Sequence, residues 1–245
     1  MTALSVNVNK FALIRNSRDT NHPDLFKICE RILNLGVDGI TVHPRPDERH
    51  TKFSDIEPIK NIVKKFKNAE FNIEGYPSES FIKKVIEIKP DQVTLVPDPP
   101  DVLTSSFGWD CSTHREFLYN IVKIFQSNNI RVSLFISPSL DTLENLEYIL
   151  PNRIELYTFN FANNFKHNKE ESILPYLKIV DFIDKHCSTI DLNAGHDLNL
   201  DNLSFFLSKI PTIKEVSIGH AIVCDAIELG IEKTIKKYLE ISSKS

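Results

Sequence analysis

Residues 39–50 read GITVHPRPDERH, in which an apolar β-branched pair, Ile40 and Val42, is followed at once by His43, Arg45, Arg49 and His50 with two prolines between them. The chain has a formal net charge of −4, so four cationic or titratable side chains at the end of one apolar run form a local feature. Arginine grips phosphate or carboxylate through its planar fork, and histidine exchanges protons near neutral pH. Such a stretch suits a small anionic substrate and acid–base work on it. Arg49 alone reads as a solvated loop residue.

Two further stretches carry related chemistry. NAGHDL (193–198) and SIGHAI (217–222) each place a glycine before a histidine, in a chain with only seven glycines to distribute. Glycine lets a backbone approach a ligand, and the N–H groups of the following turn, with a helix N-terminus behind them, offer an anion site. Gly75, Gly195 and Gly219 all fall at the ends of apolar runs. Of the eight histidines, His43, His50, His196 and His220 fall at or just past such ends, whereas His22, His114, His167 and His186 read as surface residues. Glu74, in FNIEGY, is a carboxylate closing an apolar run, where partial burial would raise its pKa toward acid–base use. Glu155, in RIELYT, reads as a structural or supporting acid. Arg15 and Arg18 in LIRNSR can hold phosphate, and Lys10 can contact an anion or form a Schiff base. Two separated anion grips imply a bisphosphate or two phosphorylated substrates.

These residues need a scaffold that brings many strand ends together. Short β-branched runs at 4–8, 40–43, 71–74, 92–96, 131–136, 153–158, 189–193 and 215–218 alternate with stretches of helical period such as Ile56, Ile59, Ile62, Val63 and Phe66. Asp24, Ser139 and Asp201 stand where helix N-caps are expected. The strands read as continuous apolar runs, as in a parallel sheet covered on both faces. Eight strand–helix repeats in about 250 residues predict a (β/α)8 TIM barrel, one domain over 1–245. A doubly wound sheet would show fewer strands and a glycine-rich first turn, and NVNKFALIRNSRDT has no glycine. Barrel sites lie at the C-terminal strand ends, and the connections at 9–23, 44–52 and 97–113 are the long ones there.

Composition narrows the classes further. The acidic balance, with a 41% hydrophobic and 25% charged content, argues against a nucleic-acid binder. No run approaches the ~18 apolar residues of a membrane span, and the N-terminus carries no signal-peptide apolar stretch. Cys29, Cys111, Cys187 and Cys224 show no paired spacing, so reduced thiols in a cytoplasmic protein are expected.

The chain resembles the pyridoxine 5′-phosphate synthase family of vitamin B6 biosynthesis over nearly its whole length. VNVNKFALIRNSR is similar to the family's first strand and loop, and DGITVHPRPDERH to its second-strand motif. NIE, KPDQVTLVP, VSLFI, NAGHDLN and IGHAI follow in family order. The resemblance implies a (β/α)8 barrel, usually a homo-octamer, that condenses 3-amino-2-oxopropyl phosphate with 1-deoxy-D-xylulose 5-phosphate, without metal or organic cofactor. It implies His43 and Glu74 as proton acceptors and His196 as proton donor. Asn7, Arg18, Gly219 and His220 would bind the amino-ketone phosphate; Arg45, His50 and Thr104 would bind the deoxyxylulose phosphate, with the 97–113 segment as lid. The chain departs from the family at four places. Asn9-Lys10 replace Asp-His at the deoxyxylulose phosphate, and Asp197 replaces a glycine beside the substrate. Tyr157-Thr158-Phe159 stand for His-Thr-Gly, and the 104–108 segment, Thr-Ser-Ser-Phe-Gly, stands for Thr-Thr-Glu-Gly-Gly. Two other readings remain: a phosphosugar lyase or isomerase using Lys10 as Schiff base, and a sugar-phosphate-binding barrel without turnover.

Overall fold

The computed structural model describes residues 1–18, 20–98 and 107–244. Eight parallel strands close a ring in chain order, each paired with its successor and the last with the first. They are β1 (Ala3–Asn7), β2 (Gly39–Val42), β3 (Glu70–Gly75), β4 (Gln92–Leu95), β5 (Arg131–Ile136), β6 (Arg153–Tyr157), β7 (Asp191–Gly195) and β8 (Ile213–Ile218). Each predicted strand lies within two residues of an observed one. The barrel is coated by α2 (Leu25–Asn34), α3 (Phe53–Val63), α4 (Glu79–Ile88), α5 (Arg115–Ser127), α6 (Leu146–Ile149), α8 (Lys169–His186), α9 (Leu203–Lys209) and α10 (His220–Leu229). Three more helices, α1 (Asn9–Asn16), α7 (Phe159–Phe165) and α11 (Ile231–Ser243), are added to the repeat.

The strands are not uniformly apolar, and here the sequence reading is corrected. Leu4 and Val6, Ile40 and Val42, Phe71 and Ile73, and Val93 and Leu95 belong to the apolar core shared with the helices. The residues between them are polar and turn to the barrel axis. Ser5 Oγ lies 2.7 Å from Thr41 Oγ1, Asn72 Nδ2 donates to that same oxygen at 3.3 Å, and Thr94 Oγ1 donates to Asn72 Oδ1 at 3.2 Å. A chain of short polar side chains thus crosses β1 to β4. Period-two alternation in a parallel strand marks an axis-facing set with its own hydrogen bonds, because buried polar groups are costly without partners.

Local signals account for some helix starts and not others. Asp24 caps α2 as expected, its Oδ1 accepting from Phe26 N at 3.1 Å and Lys27 N at 3.2 Å. α2 then buries Leu25, Cys29, Ile32 and Leu33, a stripe of helical spacing. Ser139 leads instead into a 3₁₀ turn at Leu140–Leu143 and makes no side-chain cap. Asp201 is likewise not a cap, since α9 starts at Leu203 and Asn202 holds the turn by accepting Asn199 N at 2.9 Å. The stretch 9–23, read as a long loop, begins with α1.

The N-terminal end of the barrel is closed by paired charges. Arg153 Nη1 donates to Glu215 Oε2 at 3.0 Å, Arg131 pairs with Glu70, and Arg131 Nε donates to Gln92 Oε1 at 2.9 Å. Glu215 is raised by its burial and held back by the Arg153 and Arg131 guanidinium groups. Among the described residues no helix is long and apolar enough to cross a membrane.

Candidate active site

At the opposite end the strands open on a cavity of about 330 Å³. The four histidines singled out at strand ends, His43, His50, His196 and His220, all line it, with Asn7, Asn9, Lys10, Arg45, Glu74, Asp197 and Gly219. His22, His114, His167 and His186 lie exposed, as expected.

Glu74, at the end of β3, is the point where three strands meet. Its Oε2 accepts from Asn7 Nδ2 at 3.2 Å and stands 3.6 Å from His43 Nδ1, while Oε1 accepts from Ser217 Oγ at 3.4 Å. β1, β2 and β8 thus each direct a side chain at one carboxylate. His43 and Glu74 are 7% and 9% exposed, so this pair is shielded from bulk water.

The loop after β2 is held by α1. Asn9 Oδ1 accepts from His43 N at 3.0 Å and from Thr51 Oγ1 at 2.9 Å, tying both ends of the loop to one side chain. Asn16 Nδ2 reaches the carbonyls of Glu48, Arg49 and His50, the last at 2.7 Å. Arg15, read as a phosphate ligand, instead makes a buried bidentate pair with Asp55 of α3 at 2.8 and 2.9 Å. Its guanidinium is therefore committed to fixing α1 against α3. Arg49 pairs with Asp47 in the loop.

Arg45 lies buried against Asp98, Nη2 to Oδ2 at 3.1 Å, within reach of the cavity it lines. His50 is 7% exposed and its Nδ1 has no hydrogen-bond partner among the described residues. Burial, then the charges of Lys10, Arg49, His43 and Arg45, lowers the His50 pKa to about 4. A neutral ring with an open nitrogen beside a cluster of cations suits an incoming oxyanion. Lys10, on the first turn of α1, reaches the same wall.

The glycines act in a way the sequence reading did not foresee. A Cβ at Gly195 would stand 2.2 Å from Glu155 Oε1, and one at Gly219 would stand 3.0 Å from Asn7 Cβ. Both make room for a neighbouring polar side chain as well as opening the wall. Gly75 is a packing glycine, since a Cβ there would meet the Phe81 ring at 2.3 Å. α10 starts directly after Gly219, and Gly219, His220 and Ala221 line the cavity. After β7 a turn intervenes before α9, so of the two Gly-His stretches only the one after β8 leads directly into a helix N-terminus.

Glu155, read as a supporting acid, projects into the cavity from β6. Burial pushes its pKa well up, and the nearby Glu74 and Glu215 carboxylates add to the effect. Its Oε2 has no hydrogen-bond partner among the described residues. Its parity with Arg153 and Tyr157 along β6 was the available signal, and the assumption of a uniformly apolar strand hid it. Phe159 and Ser217 are two more lining residues that motif reasoning missed. Arg18 is exposed and does not line the cavity. Thr104 and the rest of 99–106 in the expected lid lie outside the described residues. Among those described, no group of three or more His, Cys, Asp or Glu side chains is placed to hold a metal ion.

Proton-exchanging and anion-gripping side chains gathered at the C-terminal strand ends define a (β/α)8-barrel enzyme that works on small anions. Comparison with known proteins makes the class specific. The model of the pyridoxal phosphate biosynthesis protein PdxJ family matches residues 4–244. The chain is 45% identical over 240 residues to a pyridoxine 5′-phosphate synthase of Flavobacterium johnsoniae, covering 98% of this chain and 99% of that protein. It is 48% identical over 242 residues to one from Cytophaga hutchinsonii, covering 98% of each. A solved structure from Aquifex aeolicus VF5 superposes with a TM-score of 0.65 at 15% identity, over 99% of this chain and 92% of that one, a likeness of fold alone. The chain belongs to the PdxJ family, and is an enzyme of vitamin B6 biosynthesis.

Proposed function

We propose that the cavity condenses 3-amino-2-oxopropyl phosphate with 1-deoxy-D-xylulose 5-phosphate to give pyridoxine 5′-phosphate, phosphate and water. The observation that carries this reading is the convergence of His43, Glu74 and His196, from three different strand ends, on one cavity flanked by Arg45, Lys10, His50 and His220. The substrate's own amine condenses with a ketone, so the protein need not supply an imine-forming lysine. What remains is a series of proton transfers, dehydrations and enolisations, which needs several acid–base groups shielded from water.

In this reading Glu74 and His43 take protons and His196 gives one to a departing oxygen. Glu155, whose carboxyl pKa burial pushes up, lies beside Gly195, close to where charge develops. Asn7, Gly219 and His220 hold the amino-ketone phosphate against the start of α10, and Arg45, His50, Asn9 and Lys10 hold the deoxyxylulose phosphate. The protein works in the cytoplasm as a homo-octamer; exposed Leu13 and Ile14 on α1 and Ile227 on the adjoining α10 are apolar surface in keeping with an assembled state. The mass by light scattering, expected at eight times the 28.1 kDa chain, checks the assembly.

Incubation of the purified protein with both substrates tests the reaction. Stoichiometric pyridoxine 5′-phosphate by chromatography, with equal released phosphate, is the expected result. Folded protein that binds either substrate and yields neither product overturns it.

A further inference from the structure

The two residues after β7 adopt a backbone conformation that side chains ordinarily avoid. His196 has φ +88° and Asp197 has φ +61°, both in the left-handed region. Neighbouring groups hold the turn there. Thr158 Oγ1 donates to Gly195 O at 2.8 Å and also to His196 O, and Asn202 Nδ2 donates to Asp197 O at 3.2 Å. Glycine, which the resembling family carries at position 197, would satisfy this backbone without offering a side chain. Strain kept at a functional position invites the question of what the side chain does.

The Asp197 side chain turns back onto its neighbour, its Oδ2 lying 3.0 Å from His196 Nδ1. The imidazole is held on its other sides by aromatic rings, Tyr157 at 4.8 Å and Phe159 at 5.8 Å, both nearly perpendicular to it. The hydrogen bond from His196, and then the charges of His196, His220 and Lys10, keep the Asp197 carboxyl below its ordinary range. An ionised carboxylate only accepts hydrogen bonds, so Nδ1 of His196 must carry a hydrogen in either charge state of the ring. The hydrogen that comes and goes is then the one on Nε2. A carboxylate that selects a tautomer by holding the remote ring nitrogen is a known way to orient a catalytic imidazole.

We propose that Asp197 is a positioning residue for His196, fixing the imidazole with its hydrogen on Nδ1 so that Nε2 is the nitrogen that exchanges a proton with the substrate. The inference rests on the reading of His196 as proton donor. In the step, imidazolium Nε2–H passes its proton to the departing substrate oxygen, which leaves as water. The electron pair stays on Nε2, and the ring returns to the neutral Nδ1–H form. Asp197 thus faces the ring and not the substrate phosphate. The other titratable groups around the pair are Lys10 of α1, His220 of α10, Glu155 against Gly195, and the Tyr157 phenol, whose pKa is pushed up to about 12 by burial and by Asp197 and Asp98.

The test is ¹⁵N NMR of the histidine rings in the full-length protein at a pH where they are neutral, with His196 assigned by its loss in His196→Asn. The Nδ1–H tautomer is expected in the wild type and the common Nε2–H tautomer in Asp197→Gly, a substitution suited to the left-handed backbone. In that variant kcat falls roughly 3- to 10-fold, with KM for both substrates little changed, since orientation and not binding is lost. A wild-type ring in the Nε2–H form overturns the proposal. So does a tautomer that changes with no change in kcat, because the contact would then be structural only. Full turnover by His196→Asn would instead remove the proton-donor reading, and this proposal with it, whatever the tautomer.

Discussion

The two ends of the barrel both gather charged residues and use them differently. At the floor, Arg153 and Arg131 meet Glu215 and Glu70, cation against anion within a few ångströms. At the mouth, Lys10, Arg45, His43, His50, His196 and His220 gather around one cavity with Glu74, Glu155 and Asp197. Among the described residues His50 Nδ1 and Glu155 Oε2 have no hydrogen-bond partner there, and at the floor Arg153 Nε has none. Buried polar groups without partners are costly, and those that line an open cavity are placed where a ligand can complete them. The contrast is that cross-strand ion pairs hold the floor together, whereas the polar groups of the mouth also face an open cavity where a ligand can meet them.

Substitutions at the two ends should separate activity from stability. Glu74→Gln keeps the shape of the carboxylate and removes its basicity, so kcat should fall on the order of 10²- to 10⁴-fold while the thermal midpoint moves little. Near-normal product formation in that variant would remove Glu74 from the chemistry. Glu215→Ala at the floor should do the opposite. It leaves Arg153 buried and without its main anion, which costs about 3 kcal/mol in urea unfolding, with kcat of the folded protein retained. An equal loss of both quantities at either end would break the division.

Smaller effects sharpen it. Arg45→Lys keeps the charge and loses the planar fork, so KM for the deoxyxylulose phosphate should rise roughly 10-fold with kcat nearly constant in steady-state kinetics. The smallest effect concerns pH. Burial and the neighbouring cations lower the His50 pKa from its ordinary value of 6.5 to about 4 in the folded chain, so between those values the unfolded state binds more protons. Its contribution to stability is complete above pH 6.5 and is lost as pH falls toward 4. Between pH 7 and 5.5 that loss is on the order of 0.5–1 kcal/mol after allowance for solvent screening. His50→Gln should show a flatter acid limb in urea midpoints, and an unchanged slope would show that the ring is charged in the folded state.

Much of the mouth could be read from order along the chain. His43, Arg45, Glu74, His196 and His220 stand one to three residues from apolar runs, and a closed parallel barrel brings all such ends together. The errors came where one residue type serves two purposes. Arg15 and Arg18 looked alike in LIRNSR, yet Arg15 is spent on Asp55, a residue 40 positions away that no local pattern connects to it. Gly75 and Gly195 looked alike as strand-end glycines, yet one accommodates Phe81 and the other Glu155. The place of Glu155 at the cavity wall stayed hidden because polar alternation in the strands reads locally as apolar continuity.

The sequence by itself determined the eight repeats, the ends at which chemistry could occur and the residue types placed there, because these depend on period and composition over short spans. Tertiary structure decided which charges are satisfied. Whether an arginine holds a substrate or a helix, and how far a buried carboxyl is pushed from its ordinary pKa, depend on atoms brought within about 4 Å from distant parts of the chain, where charge and hydrogen-bond interactions are strong enough to choose between states.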